Sequence, residues 1–290
     1  MTRNILAPRN VERLREIAAS GALLAFDYDG TLAPLSNNPD ASRMRPATAE
    51  LLRNLAHAAP VAIVTGRSVR DVTVRLEEIP MLEVIGNHGA EPSPFAKRAA
   101  REVAAWMPML EVLVDTLDDV VIENKVQSVS VHFWHAVHPA RIVTAIEALV
   151  PTLPHRVQLV RGIGLVNLVP HGAPDKGDAT MTLVQANALP GAVFVGDELT
   201  DEPAFRRVGG AQGLGVRVGR WSGTAASHHI ESQDDIEALL TELLIGVTRP
   251  LPRRSAARSR SGAAATEIPT ESTELDTHGA HGAVADGGHR

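Results

Sequence analysis

Three short, uninterrupted apolar runs constrain the fold of this chain more than anything else in it. Ala22-Leu23-Leu24-Ala25-Phe26 stops at Asp27, Val61-Ala62-Ile63-Val64 at Thr65, and Ala192-Val193-Phe194-Val195 at Gly196. Apolarity without alternation suits strands buried on both faces, as in a parallel sheet covered by helices. Helical spacing occupies Thr48 to Ala59, Val69 to Glu78 and Lys176 to Ala188. Strand and helix in alternation predict an α/β fold with a doubly wound parallel sheet. Ligands in such sheets sit beyond the carboxyl ends of the strands, where all three polar clusters fall.

Between about Pro92 and His171 the pattern changes. It predicts a helix over Phe95 to Leu117, strands around Val120 to Ile122 and Ser128 to Phe133, a helix over Pro139 to Leu149, and strands at Val157 to Val160 and Gly164 to Leu168. This order suits a smaller α+β cap over a mainly antiparallel sheet. The expected organisation is an N-terminal extension at 1–20, a core formed by 21–91 and 172–248, a cap at 92–171, and a tail at 249–290. Apolar residues thin out in the tail, and Arg253, Arg254, Arg258 and Arg260 give way to Glu267, Glu271 and Glu274, a composition that predicts disorder.

Composition removes several alternatives. With 290 residues, 44% of them apolar, the chain can bury a main core and a second, smaller one. A net charge of −6 from interspersed acids and bases gives no field for nucleic acid or an anionic membrane. The absence of cysteine excludes disulfides, a thiolate nucleophile and thiolate metal sites. Charges through Met1 to Ser20 leave no apolar stretch of signal or membrane-spanning length, so the expectation is a soluble, cytoplasmic protein.

The clusters carry the chemistry. Asp27-Tyr28-Asp29-Gly30-Thr31-Leu32 sets two carboxylates two residues apart just beyond a buried strand, where a turn at Gly30 can aim both into one crevice. Phosphoryl transfer needs a nucleophile, a proton donor for the leaving alkoxide and cations for the phosphoryl oxygens. A bare Asp-x-Asp more often caps a helix or lines a solvated turn; the preceding apolar run argues against that here. Thr65-Gly66-Arg67 offers a hydroxyl and backbone amides for a phosphoryl oxygen, though an isolated Thr-Gly is more often an N-cap. Lys176, in Pro174-Asp175-Lys176-Gly177, supplies a compact cation at a helix start. Gly196-Asp197-Glu198-Leu199-Thr200-Asp201-Glu202 crowds four acids past the third run. Helix-dipole enrichment accounts for one or two of them; sharing a hard cation, naturally Mg²⁺, accounts for the group.

Together these segments resemble the four ordered motifs of haloacid dehalogenase-type phosphatases. Gly86-Asn87-His88-Gly89-Ala90-Glu91 and Glu123-Asn124-Lys125-x-x-Ser128-Val129-x-Val131-His132 narrow the likeness to trehalose-6-phosphate phosphatases, over roughly Leu23 to Val218. The resemblance implies a Rossmann-like core with an inserted α+β cap. It implies a magnesium-dependent phosphoric monoester hydrolase acting in trehalose biosynthesis on a small sugar phosphate, with a trehalose-phosphate synthase as an associated protein. By it Asp27 is the nucleophile, Asp29 the general acid and base, and Thr65, Gly66, Arg67 and Lys176 the phosphate site. Asp27, the main-chain carbonyl of Asp29, Asp197 and Asp201 form the metal site, and His88, Glu123, Lys125, His132 and Asn167 meet the sugar.

The cap departs from the family pattern. His132-Phe133-Trp134 lacks the usual arginine after the aromatic residue, Gly162-Ile163 lacks a lysine, Asn167 replaces a glutamate, and Val169 replaces an arginine. Losing a charged partner from a buried hydroxyl network costs roughly 1–3 kcal/mol per group, enough to shift substrate preference without touching the chemistry. Two alternatives to trehalose 6-phosphate hydrolysis therefore stand: the same reaction on another sugar phosphate, and a non-catalytic sugar-phosphate-binding module.

Overall fold

A computed structural model describes residues 2–36, 41–162, 164–210 and 212–249; the expected tail beyond Arg249, and Ile163, lie outside the described residues. The first half of the chain forms β1 (Arg3–Asn4), α1 (Pro8–Ala19), β2 (Leu23–Phe26), α2 (Pro46–Ala58), β3 (Val61–Val64), α3 (Val69–Arg75), β4 (Glu83–Ile85) and α4 (Ala96–Val114). Then come β5 (Val121–Asn124), β6 (Val129–His132), α5 (Pro139–Leu149), β7 (Val157–Gly162) and β8 (Leu165–Pro170). The chain closes with α6 (Lys176–Ala186), β9 (Ala192–Gly196), α7 (Glu202–Val208), β10 (Leu214–Val218), β11 (His228–Ile230) and α8 (Ile236–Thr248).

The main sheet is parallel throughout, in the order β1-β11-β10-β9-β2-β3-β4. The chain builds outward from β2 through β3 to β4, then returns to the other side of β2 with β9. That reversal puts the switch point between β2 and β9, where open α/β sheets bind ligands. Phe26 pairs with both Ile63 and Val195, so the three strands end level with one another. Asp27, Thr65 and Asp197 therefore leave the sheet side by side.

Strand residues alternate between faces, and each face is apolar. Leu24, Phe26, Ile63 and Val193 pack with Leu14 and Ile17 of α1, Leu52 and Leu55 of α2, and Leu239 and Leu243 of α8. Leu23, Ala25, Ala62 and Phe194 pack with Leu183 of α6 and Phe205 of α7, the two phenyl rings meeting edge to face at 5.8 Å. The segment expected to stand apart as an extension at 1–20 packs into this core through Ile5 and α1. An apolar stripe of Leu14, Ile17 and Ala18 needs cover, and β1 pairs in parallel with the otherwise open edge of β11.

The segment between β4 and α6 forms an antiparallel sheet in the order β5-β6-β8-β7. Val129, Val131, Val166 and Leu168 turn to Val103, Trp106 and Leu110 of α4 and Ile142 and Ile146 of α5. Its opposite face is polar: Glu123 stands across from Ser130, and Ser130 across from Asn167. The fold is the expected doubly wound core with an inserted α+β cap. Helix α3 ends three residues earlier than its spacing predicts, because Glu77 and Glu78 adopt left-handed φ values of 48° and 62°.

Candidate active site

Lys176 is the hub of the site. It is the first residue of α6, fixed by a reciprocal cap in which Asp175 accepts from the Asp178 amide at 2.8 Å and Asp178 accepts from the Asp175 amide at 3.2 Å. Its ammonium is 1% exposed and lies 2.9 Å from Asp27 Oδ2 and 2.7 Å from Asp201 Oδ1. Asp201 is fixed by the Glu198 amide, which donates to Oδ2 at 2.8 Å, and Asp27 Oδ1 accepts from the Tyr28 amide at 2.7 Å. Asp197 accepts from Thr31 Oγ1 at 3.2 Å.

Asp27, Asp197 and Asp201 each offer a carboxylate oxygen, and the three oxygens lie within 4.8 Å of one another. Three hard oxygen donors suit a divalent cation. Gly30 is what lets the Asp-x-Asp turn approach them: its φ is +74°, and a Cβ there would overlap the Asp197 carboxylate. The electrostatics fit the same ion. Burial pushes Asp27 upward against the lowering pull of Lys176, and pushes Asp197 upward with Asp27, Asp201 and Glu198 acting in the same direction. Burial alone would lower Lys176, but Asp201 and Asp27 outweigh it and hold the ammonium above its ordinary value. The cluster holds more carboxyl groups than the Lys176 cation offsets, a donor set that suits a divalent cation.

Asp29 stands apart from the acid cluster. Its carboxylate is held edge-on by Arg67, and Ser42 Oγ donates to Oδ1 at 2.8 Å. The Arg67 side chain is thus engaged by a carboxylate, which leaves its main-chain amide as the group available to a phosphoryl oxygen. The guanidinium also pairs with Asp71 at 2.7 Å and lies 5.7 Å from the centre of the Tyr28 ring, so two nearby carboxylates claim its charge. The Arg67 amide donates to Thr65 Oγ1 at 3.2 Å, and α3 begins at Val69, where its spacing predicts, with Ser68 as its cap.

The Gly86–Gly89 turn brings the two sheets' polar groups together. Asn87 and His88 both have left-handed φ, at 49° and 57°, a strained arrangement typical of functional sites. Gly89 presses on the start of α6, where a Cβ would strike the Asp175 carbonyl at 2.6 Å, and the His88 ring lies over Gly66. Burial, with Lys176 and Lys125 adding to it, drives His88 well below its ordinary value, so the imidazole is neutral. Asn167 Nδ2 approaches its Nε2 at 3.5 Å, while His88 Nδ1 is buried without a partner among the described residues.

Glu123 of β5, Lys125 just beyond it and His132 of β6 come together on the polar side of the insert. Lys125 Nζ reaches across to the Gly66 carbonyl at 3.2 Å and lies 3.6 Å from Glu123, which meets His132 Nε2 at 2.9 Å. Burial raises Glu123, but its contacts with His132 and Lys125 outweigh this and keep it below the usual carboxylate range. Asn167 is buried, its Oδ1 accepting from Ser130 Oγ at 2.5 Å. Ser42, Asp71 and Arg217 were not anticipated. Arg217 Nη1 donates to the Glu198 carbonyl at 3.3 Å and Nη2 to the Asp197 carbonyl, which fastens the acid loop from behind. The partners of Ser42 and Arg217 lie far away in sequence, and Asp71 shows only an ordinary i,i+4 spacing to Arg67 and Arg75, so no local pattern marks them.

A buried acid triad beside a switch point, clamped by a lysine from the next helix and roofed by an α+β insert, defines a class: the haloacid dehalogenase-type phosphatases. The comparisons narrow it. The profile of the trehalose-phosphatase family matches residues 25–236, and the chain belongs to that family of phosphoric monoester hydrolases. It is 30% identical over 270 residues to a probable trehalose-phosphate phosphatase D of Arabidopsis thaliana, covering 80% of this chain and 70% of that protein. It is 31% identical over 200 residues to a trehalose-phosphate phosphatase of Mycobacterium tuberculosis, covering 63% of this chain and 50% of that one. The solved trehalose-6-phosphate phosphatase C-terminal domain of C. albicans superposes with a TM-score of 0.68 at 18% identity, covering 84% of this chain and 98% of that domain, a likeness of fold. No helix among the described residues is long and apolar enough to cross a membrane.

Proposed function

We propose that the chain hydrolyses trehalose 6-phosphate to trehalose and phosphate, with Mg²⁺ held by Asp27, Asp197, Asp201 and the main-chain carbonyl of Asp29. The observation that carries this reading is the Lys176 ammonium between Asp27 and Asp201 in one buried crevice. Asp27 Oδ attacks phosphorus, the bond to the sugar oxygen breaks, and Asp29 gives its proton to the leaving alkoxide. Water then attacks the aspartyl-phosphate, Asp29 takes its proton, and phosphate leaves Asp27 free. Thr65 and the amides after it, with Lys176, hold the phosphoryl oxygens, and bound Mg²⁺ supplies charge neutralisation there. His88, Glu123, Lys125, His132 and Asn167 meet the sugar.

The same proposal takes 21–91 and 172–248 as core and 92–171 as cap. Its support is that the apolar cluster of the insert shares no residue with those of the main sheet. A cytoplasmic location and association with a trehalose-phosphate synthase follow the substrate class, because sugar phosphates are made and kept inside cells. The test is phosphate release from trehalose 6-phosphate with and without Mg²⁺, for wild type and Asp27→Asn. Release that needs Mg²⁺ and vanishes in Asp27→Asn is expected; an active Asp27→Asn protein rules out the nucleophile.

A further inference from the structure

We infer that Trp134 is a specificity-determining residue, its indole forming the platform for the second, non-phosphorylated ring of a disaccharide phosphate. The inference rests on the proposed function and names the part of the site that reads the substrate's far end.

Four contacts in series lead from the phosphate end of the site to this ring. Lys125 Nζ touches the Gly66 carbonyl beside Thr65, Glu123 lies 3.6 Å further on, and His132 meets Glu123 at 2.9 Å. The last contact is between rings: His132 and Trp134 have centroids 4.4 Å apart, inclined by 38°. A phosphate ester held at Thr65 and Lys176 sets its first ring against Lys125 and Glu123. One glycosidic link further lie His132 and Trp134.

Trp134 is 42% exposed, whereas Trp106 of the same insert is fully buried and donates to the Pro154 carbonyl at 2.6 Å. The indole is nonetheless held in place. Gly164, with φ +68°, lies directly beneath it, and a Cβ at that position would overlap the indole edge. His132 supports it from the side while spending Nε2 on Glu123. An aromatic ring held by its neighbours yet partly exposed, at the end of a polar row, is built to receive an apolar face. A pyranose ring offers such a face in its C–H groups, and its hydroxyls meet the polar row alongside. A guanidinium at this position would instead address hydroxyls singly; the indole reads the ring as a surface.

The test compares wild type, Trp134→Ala and Trp134→Phe on trehalose 6-phosphate, sucrose 6-phosphate and glucose 6-phosphate. Trp134→Ala is expected to raise KM for the preferred disaccharide phosphate roughly two- to twelvefold with kcat nearly unchanged, because a stacked pair contributes about 0.5–1.5 kcal/mol. It leaves kcat/KM for glucose 6-phosphate as in wild type, and Trp134→Phe recovers most of the loss. Free trehalose should also shift tryptophan emission in wild type and not in Trp134→Phe. Equal losses on mono- and disaccharide phosphates, or a fall in kcat alone, overturn the inference and make the ring a packing element. So does unchanged KM in Trp134→Ala while the wild type hydrolyses trehalose 6-phosphate, which leaves the proposed function standing. A wild type that prefers sucrose 6-phosphate, with the KM effect carried by that substrate, upholds Trp134 and rejects trehalose 6-phosphate. A wild type with no activity on either disaccharide phosphate rejects both.

Discussion

Arg67 grips the Asp29 carboxylate edge-on, with Nε 2.6 Å from Oδ2 and Nη2 2.8 Å from Oδ1. Such a bidentate fork fixes both the plane and the direction of a carboxyl group. Oδ1 also accepts from Ser42, so Oδ2, with its single contact to Arg67, is the oxygen that carries the proton in the proposed general-acid step. Under the proposed mechanism the Arg67 side chain acts through Asp29, while its amide stays with the Thr65-Gly66-Arg67 motif.

This makes Arg67→Lys informative, since a point charge cannot reproduce the fork. Arg67→Lys and Asp29→Asn should each lower kcat on trehalose 6-phosphate by about a hundredfold, the usual worth of general acid catalysis. On p-nitrophenyl phosphate, whose leaving group needs no proton, both losses should shrink by about tenfold or more. Equal losses on the two substrates would return Arg67 to the phosphate site.

The acid cluster predicts how stability varies with pH. Asp27 is raised by burial from its model-peptide range to about 8 despite Lys176. A carboxyl raised in the folded state contributes stability that is complete below the unfolded value, near 4, and is lost as pH rises through the folded value. Protein freed of divalent ions should therefore lose thermal stability progressively between about pH 5 and pH 8. Saturating Mg²⁺ should flatten that slope, because it binds only the ionised carboxylates of the folded form. Thermal melts at several pH values, with chelator and with Mg²⁺, decide it; parallel slopes contradict a shared cation site.

Lys176→Met removes the central cation but keeps much of its bulk. The variant leaves Asp27 and Asp201 buried against each other, and breaking a buried pair in this way costs about 3–5 kcal/mol. Denaturant unfolding should show a loss of that size at neutral pH. The double variant Lys176→Met with Asp201→Asn should recover part of it, since one uncompensated charge is gone.

The core and the catalytic motifs were legible in sequence for one shared reason: β2, β3 and β9 are buried on both faces, so their residues form unbroken apolar runs ending at the chemistry. The outer strands carry less signal. In β10 the run Leu214–Val218 contains Gly215 and Arg217, and β11 is His228-His229-Ile230, polar residues that become buried only through the tertiary fold. Arg67 was found by its motif, but the partner of its side chain was not legible, because a motif records neighbours in sequence and Asp29 is 38 residues away. The polar face of the insert was half legible. Alternation marks Glu123 and Lys125, but only pairing of β5 with β6 brings His132 to them.

Arg217 shows what such long-range contacts contribute to the site. Its guanidinium holds the carbonyls of Asp197 and Glu198, lies 3.4 Å from Glu202, and stacks 5.0 Å from the centre of the Trp221 ring. It therefore sets the path of the loop that carries both Asp197 and Asp201 without offering either an oxygen or a proton to the reaction. Outer contacts of this kind are worth about 10–100-fold in metal affinity. Arg217→Gln should raise the Mg²⁺ concentration for half-maximal activity by that factor, while activity at saturating Mg²⁺ stays within a few fold. Trp221→Ala, which removes only the stacking partner, should shift the same half-saturation point by less than about threefold. An Arg217→Gln enzyme with wild-type Mg²⁺ dependence and lowered kcat would instead mean that the guanidinium reaches the substrate.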